Sequence, residues 1–142
     1  MTVDTAIRAR LLTLTSVTDL VNQRIFTVIL PQGVTLPAIR VSRIGQDEPM
    51  HLRGPINAFR ARVQVDSVGR TKAEVDAVDA GVQGDGLGSD ATGLKGFKGT
   101  IGSPPMTIHA ILPADVRDLY DPEELRQYKV SREFFVTFEG TI

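Results

Sequence analysis

The residue types that do most protein chemistry are scarce in this chain, and those present are poorly spaced for it. Two histidines and no cysteine occur among 142 residues. The absence of thiols excludes disulfide scaffolds, thiolate zinc and iron–sulfur centres, and cysteine nucleophiles. His51 falls in a Pro/Gly-rich loop and His109 in a predicted strand, which is not a metal-ligand spacing. The run Gly84-Asp85-Gly86-Leu87-Gly88 has the glycines of a phosphate cradle. It follows a helix and leads into more glycine, whereas a cradle follows a strand and opens a helix. Asp85 and Asp90 do not match EF-hand spacing, and no serine sits in a Gly-x-Ser-x-Gly elbow. Carboxylates gather at Asp115, Asp118, Asp121, Glu123 and Glu124, with Arg117 and Arg126 among them. That is the pattern of a solvated or interface surface rather than of two acids across a cleft. The expectation is no catalytic residue, no metal and no cofactor, hence not an enzyme.

Charge is more informative. Sixteen Lys+Arg against seventeen Asp+Glu give a net −1, so no global basic field recruits nucleic acid. The charges are unevenly placed: residues 40–72 hold seven basic and three acidic side chains, and residues 115–139 hold seven acidic and four basic. Arginine supplies twelve of the sixteen cations and is enriched at interfaces. A chain with one basic and one acidic surface can join copies of itself head to tail, and a closed rotation makes a ring. The candidate ring contacts are Arg40, Arg43, Arg60 and Arg62 on one side, and Asp115, Asp118, Asp121 and Glu123 on the other. Two ordinary solvated faces would carry the same charges.

These groups need a scaffold, and the length and the 42% hydrophobic content fit one α+β domain over residues 1–142. No apolar run approaches the roughly 20 residues of a membrane helix, and the start of the chain lacks a signal-peptide pattern. Synthesis and retention in a reducing cytoplasm are expected. Val3, Ile7, Leu11 and Leu14 mark one face of a helix, and Ser16 with Asp19 caps a short further turn. Strands are expected at residues 24–30 and 38–44. The strict alternation of Phe59, Ala61, Val63 and Val65 against Arg60, Arg62, Gln64 and Asp66 is a strand with one buried face. Thr71 and Glu74 form a capping box for a helix whose face is Val75, Val78 and Val82.

Two further strands are expected at 106–112 and 128–139, with a helical turn opening at Asp121 between them. Short connections favour a mainly antiparallel sheet with two helices on one face. Residues 45–57 read as a mobile loop and 83–105 as a Gly/Pro-rich connection. Within the loop, Asp47, Glu48, Met50, His51, Leu52 and Arg53 are the candidate contact to a neighbouring subunit or other partner, and they would order on assembly.

Several phrases together resemble the tail completion, or tail terminator, proteins of long-tailed bacteriophages, prophages and gene transfer agents. They are Leu11-Leu12, Arg24-Ile25-Phe26, Leu30-Pro31-Gln32-Gly33 and Leu36-Pro37-Ala38-Ile39, followed by Arg60-Ala61-Arg62-Val63-Gln64-Val65-Asp66. Then come Leu94-Lys95-Gly96-Phe97-Lys98-Gly99, Asp115-Val116-Arg117-Asp118-Leu119-Tyr120-Asp121-Pro122, and Tyr128-Lys129-Val130-Ser131 to Phe134-Phe135-Val136. The similarity runs in order over nearly the whole chain, and no phrase in it is catalytic. The glycine-dense stretch 81–93 departs from the family pattern, in which the second helix runs on towards the Leu-x-Gly-Phe phrase.

The resemblance implies a small α+β virion subunit, six of which form a ring. That ring would cap the head-proximal end of the tail tube, stop its polymerisation and offer a docking surface to the head-completion connector. Its implied partners are its own copies, the major tail tube protein and the connector, with DNA passing through the bore without specific binding. Another small head–tail adaptor or minor tail protein would look similar. The reading of another class is a small α+β ligand-binding domain or enzyme with its site in the glycine-rich loop.

Overall fold

The computed structural model describes residues 2–47, 50–51, 54–55, 58–86, 88, 90–102, 105–121 and 127–139, without the side chains of 50–51, 54–55 and 120–121. The chain opens with α1 (Val3–Leu12) and α2 (Thr15–Val21). Val3, Ile7 and Leu11 are buried, as the helical period requires. The expected cap at Ser16 is not used, because α2 starts two residues earlier with Leu14 at its N-cap. Buried Leu14 holds that corner, and the Thr18 hydroxyl donates to its carbonyl at 3.1 Å.

The strands are β1 (Ile25–Thr27), β2 (Ala38–Asp47), β3 (Met50–His51), β4 (Gly54–Pro55) and β5 (Ala58–Gly69). After α3 (Lys72–Gln83) come β6 (Gly99–Ile101), β7 (Met106–Asp121) and β8 (Gln127–Glu139). Six of them form a mixed sheet in the order β1-β2-β5-β8-β7-β6, and β3 pairs with β4 apart from it. β1 runs parallel to β2, and the other neighbours in the sheet are antiparallel. The connection 28–37 is long enough to permit the parallel pair, which a tight turn could not make.

The inward side chains of β5 and β8 pair across the sheet, Phe59 with Phe138, Ala61 with Val136 and Val63 with Phe134. They share one buried cluster with Ile7 and Leu11 of α1, Val17 of α2, and Val78 and Val82 of α3. The Phe59 and Phe138 rings stack at 5.4 Å. The capping box forms: the Thr71 hydroxyl accepts from the Glu74 amide at 3.1 Å. The Glu74 carboxylate accepts from the Arg70 amide, one residue before the usual position.

Several boundaries differ from the sequence expectation, each for a local reason. Among the described residues three helices form, not two. The strand at 24–30 shortens to three residues because Val28 sits at φ 67° and turns the chain. Residues 45–47, expected in a loop, belong to β2, and within the rest of that segment two short strands, β3 and β4, pair with each other. Glu48, Pro49, Leu52, Arg53, Ile56 and Asn57 lie outside the described residues. The strand at 106–112 runs on to Asp121, through bulges at Ile108/Ala110 and Pro113/Asp115. Each bulge breaks the two-residue period by which a strand is recognised. Asp121 ends that strand, and residues 122–126, where the helical turn is expected, lie outside the described residues.

The glycine-rich connection packs into the core through Ala91, Leu94 and Phe97. It closes on the end of α3, where the Leu94 and Lys95 amides donate to the carbonyls of Val82 and Gln83. Gly84, at φ +60°, needs to be glycine: a Cβ there would lie 2.1 Å from the Gly93 nitrogen. No helix among the described residues is long and apolar enough to cross a membrane.

Candidate functional site

Strand alternation sends one set of β5 and β8 side chains to the helices and leaves the other set on the opposite sheet face. The register there sets Arg40 beside Asp66, Arg62 beside Phe135 and Gln64 beside Glu133. Arg40 and Asp66 form an ion pair, and the Gln64 amide donates to Asp66 at 2.9 Å. Arg62 holds Glu133 at 2.8 Å. Asp66 and Glu133 are almost fully buried although the described helices lie on the other face, which is tolerable because each carboxylate has its cation. The Arg60 guanidinium lies 4.4 Å from the Phe135 ring centre and that of Arg62 lies 5.7 Å away.

The fold therefore brings Arg40, Arg60 and Arg62 together on one face, and two of the three are neutralised within the chain. Arg43 is exposed near the rim, opposite Val63 in register, and reaches the Gln46 side-chain oxygen at 3.0 Å. Asp115 and Asp118 are exposed on β7. The Asp115 carboxylate accepts from the Val116 amide at 2.9 Å. Arg40 and Arg43 on β2 stand three strand spacings, about 14 Å, from the acidic candidates of β7, and Arg60 and Arg62 on β5 stand two, about 10 Å. Of the loop candidates, Asp47 ends β2, Met50 and His51 form β3, and Glu48, Leu52 and Arg53 are outside the described residues. So is Glu123, while Asp121 is described only in its backbone.

Nucleophile, base and orienting group are not arranged together in what the structure describes. His109 sits in the first bulge of β7, with its Nε2 3.2 Å from the exposed Glu139 carboxylate. Within the glycine run the described amides of Gly84, Asp85 and Gly88 donate to the Ala80 carbonyl, the Thr92 hydroxyl and the Gly96 carbonyl, and the Thr92 hydroxyl donates back to the Asp85 carboxylate. Among the described residues no three His, Asp or Glu side chains converge as a metal set. Two of the surface grooves border the charged candidates. One of ≈ 190 Å³ runs between α3 and β7 along Lys72, Val75, Asp118 and Leu119. The other, of ≈ 340 Å³, lies at Ile44, Asp47, Arg60 and Phe135. Both join apolar floors to charged rims, which suits a protein surface better than a small substrate.

Two internal pairs escaped the sequence reading. Arg132 holds Asp79 of α3 through Nε to Oδ1 at 2.9 Å and a second bond at 3.0 Å. The signal was present, because Arg132 fills an inward position in the alternation of Val130, Phe134 and Val136. Arg10 donates to the Ala91 carbonyl at 2.7 Å and lies 4.0 Å from the Phe97 ring centre, tying α1 to the glycine-rich segment. Burial pushes its guanidinium below the usual arginine range. Its partners are two backbone carbonyls and a ring more than 80 residues away, and no local spacing announces such contacts.

Comparison with known proteins adds what geometry leaves open. A family model described as "Tail completion protein gp17" matches residues 5–97. No curated protein matches. Among solved structures, a chain from the "Virion of native gene transfer agent (GTA) particle" shares the fold, with a TM-score of 0.64 over 96% of each chain at 16% identity.

Proposed function

The chain belongs to the tail completion protein gp17 family and is a structural protein of the phage tail, and on that premise we propose that it terminates the tail tube. In this reading six subunits close into a ring on the head-proximal end of the tube. The ring ends polymerisation and presents the docking surface for the head connector, and DNA leaves through its bore. The protein then resides in the virion, at the head-proximal end of the tail, after synthesis in the host cytoplasm. Its partners are its own copies, the major tail tube protein and the connector.

The observation that carries the reading is the family match, which covers residues 5–97. The fold shared over 96% of each chain with a component of a gene transfer agent particle agrees with it. A capping ring needs surfaces rather than reactive groups, and the charges here are arranged as ladders and rims. Purified protein added to assembling tail tubes should bind their ends and shorten the tubes in electron micrographs. Native mass spectrometry should give close to six subunits. A protein that neither binds tube ends nor changes tube length is not a terminator.

A further inference from the structure

Six of the seven large apolar side chains exposed among the described residues lie on two opposite margins of the sheet. Val28, Ile29 and Ile44 mark the β1–β2 margin, and Leu112, Val116 and Leu119 mark β7. These six are 46–72% exposed, and only Leu20 on α2 lies elsewhere. The Val28 amide donates to the Val41 carbonyl at 2.8 Å, which sets Val28 at the end of the β1–β2 pairing, and the chain turns there, with the Ile29 amide donating back to the Thr27 carbonyl. Scattered single apolar residues need no explanation, but two groups of three at opposite margins have the distribution of two contact patches.

Both margins also carry free backbone. Among the described residues no strand pairs with 42–47 of β2 on the side away from β5. β7 is covered only as far as Ile111, whose carbonyl accepts from the Gly96 amide, and no described strand lies outside 112–121. The bulges and Pro113 interrupt these edges, so they suit a short, specific pairing and not an open-ended one.

Charge selects the pairing. Arg43 and Arg60 have no ion-pair partner among the described residues, and neither do Asp115 and Asp118. The described margin of β7 carries Asp115, Arg117 and Asp118, a net −1, and that of β2 with the adjoining Arg60 carries Arg43, Asp47 and Arg60, a net +1, so joining like margins brings like net charge together. Joining β7 to the β2 of the next copy sets opposite charges together.

We propose that the β7 margin of one copy docks on the β1–β2 margin of the next, a head-to-tail contact between copies of this chain that repeats until the ring closes. This rests on the ring reading above and deepens it. It also divides the arginines: Arg43 and Arg60 make the contact, while Arg40 and Arg62 are held by Asp66 and Glu133 within each subunit.

The chain has no cysteine, so Ile44→Cys and Val116→Cys introduce the only thiols. With a short bis-maleimide linker, the double variant should give a ladder of covalent multimers ending at the ring number. Each single variant should give no dimer. A dimer from either single variant means a two-fold contact and overturns the proposal. A double variant that makes rings by light scattering but no ladder also overturns it, and leaves the ring reading standing. No multimer of wild-type protein, free or on tube ends, removes both.

A second arm uses charge. Arg43→Glu/Arg60→Glu and Asp115→Arg/Asp118→Arg should each stay folded by circular dichroism, with association at least ten-fold weaker. Their mixture should restore rings of alternating subunits. Wild-type ring mass in either variant alone overturns the proposal.

Discussion

Arg132 occupies an inward position of β8, opposite Val65 in register, and both of its bonds go to the carboxylate of Asp79 on α3, at 2.9 and 3.0 Å. A strand and a helix 53 residues apart in sequence are thus joined by a two-point ion pair beside the apolar core. Removing one partner leaves a largely desolvated charge alone. Asp79→Ala should cost about 3 kcal/mol in urea denaturation. The double replacement Asp79→Leu/Arg132→Met should recover most of that loss, because it removes both charges and keeps the volume. A double variant no more stable than Asp79→Ala would show that the pair does not act as a unit.

Gly81 sets two general rules against each other. Alanine is better than glycine inside a helix by about 1 kcal/mol. Here, however, a Cβ would come 2.9 Å from the Ser16 carbonyl oxygen of α2, too close for backbone that cannot move aside. Gly81→Ala should therefore lower stability, by roughly 1–2 kcal/mol, as overpacked sites do. A rise in melting temperature would contradict the close α2–α3 approach.

Arg10 holds the segment 91–97 through two carbonyls and an aromatic ring. Arg10→Met should cost about 2 kcal/mol, the usual loss for hydrogen bonds to a charged donor. Amide exchange at residues 92–97 should quicken more than exchange in β5. Arg10→Lys should restore only part, because an ammonium cannot match the planar stacking of a guanidinium on Phe97.

The arginines of the polar sheet face should separate by phenotype. Arg62→Gln strands the buried Glu133 carboxylate and should lower stability by about 1–3 kcal/mol while ring mass stays unchanged. Arg60→Ala loses only its contact with Phe135, about 0.5–1 kcal/mol, and should mainly raise the concentration needed for assembly. Native mass and thermal melts on the same samples test both halves. Equal melting losses with equal assembly would refute the division.

Much of the core was legible in the chain itself. The alternation through Phe59 and Val65, the face of Val75, Val78 and Val82, and the Thr71–Glu74 box are local patterns, whose period and cap chemistry mark the strand and the helix without any distant neighbour. The dearth of histidine and cysteine narrowed the chemistry just as early. The length of β7 stayed hidden, because two bulges shift its register and erase the period. So did the packing of the glycine-rich segment, whose shape depends on Gly84 meeting Gly93 and on Arg10 reaching over from α1.

The charge asymmetry was visible as composition along the chain, but its meaning was not. Only the strand order places β2 and β7 towards opposite margins, and only cross-strand register decides that Arg40 and Arg62 are neutralised while Arg43 and Arg60 are left without an ion-pair partner among the described residues. Sequence settles what a side chain can do over one helical turn or one strand. Which charges meet is settled by neighbours far along the chain, and that requires the folded sheet.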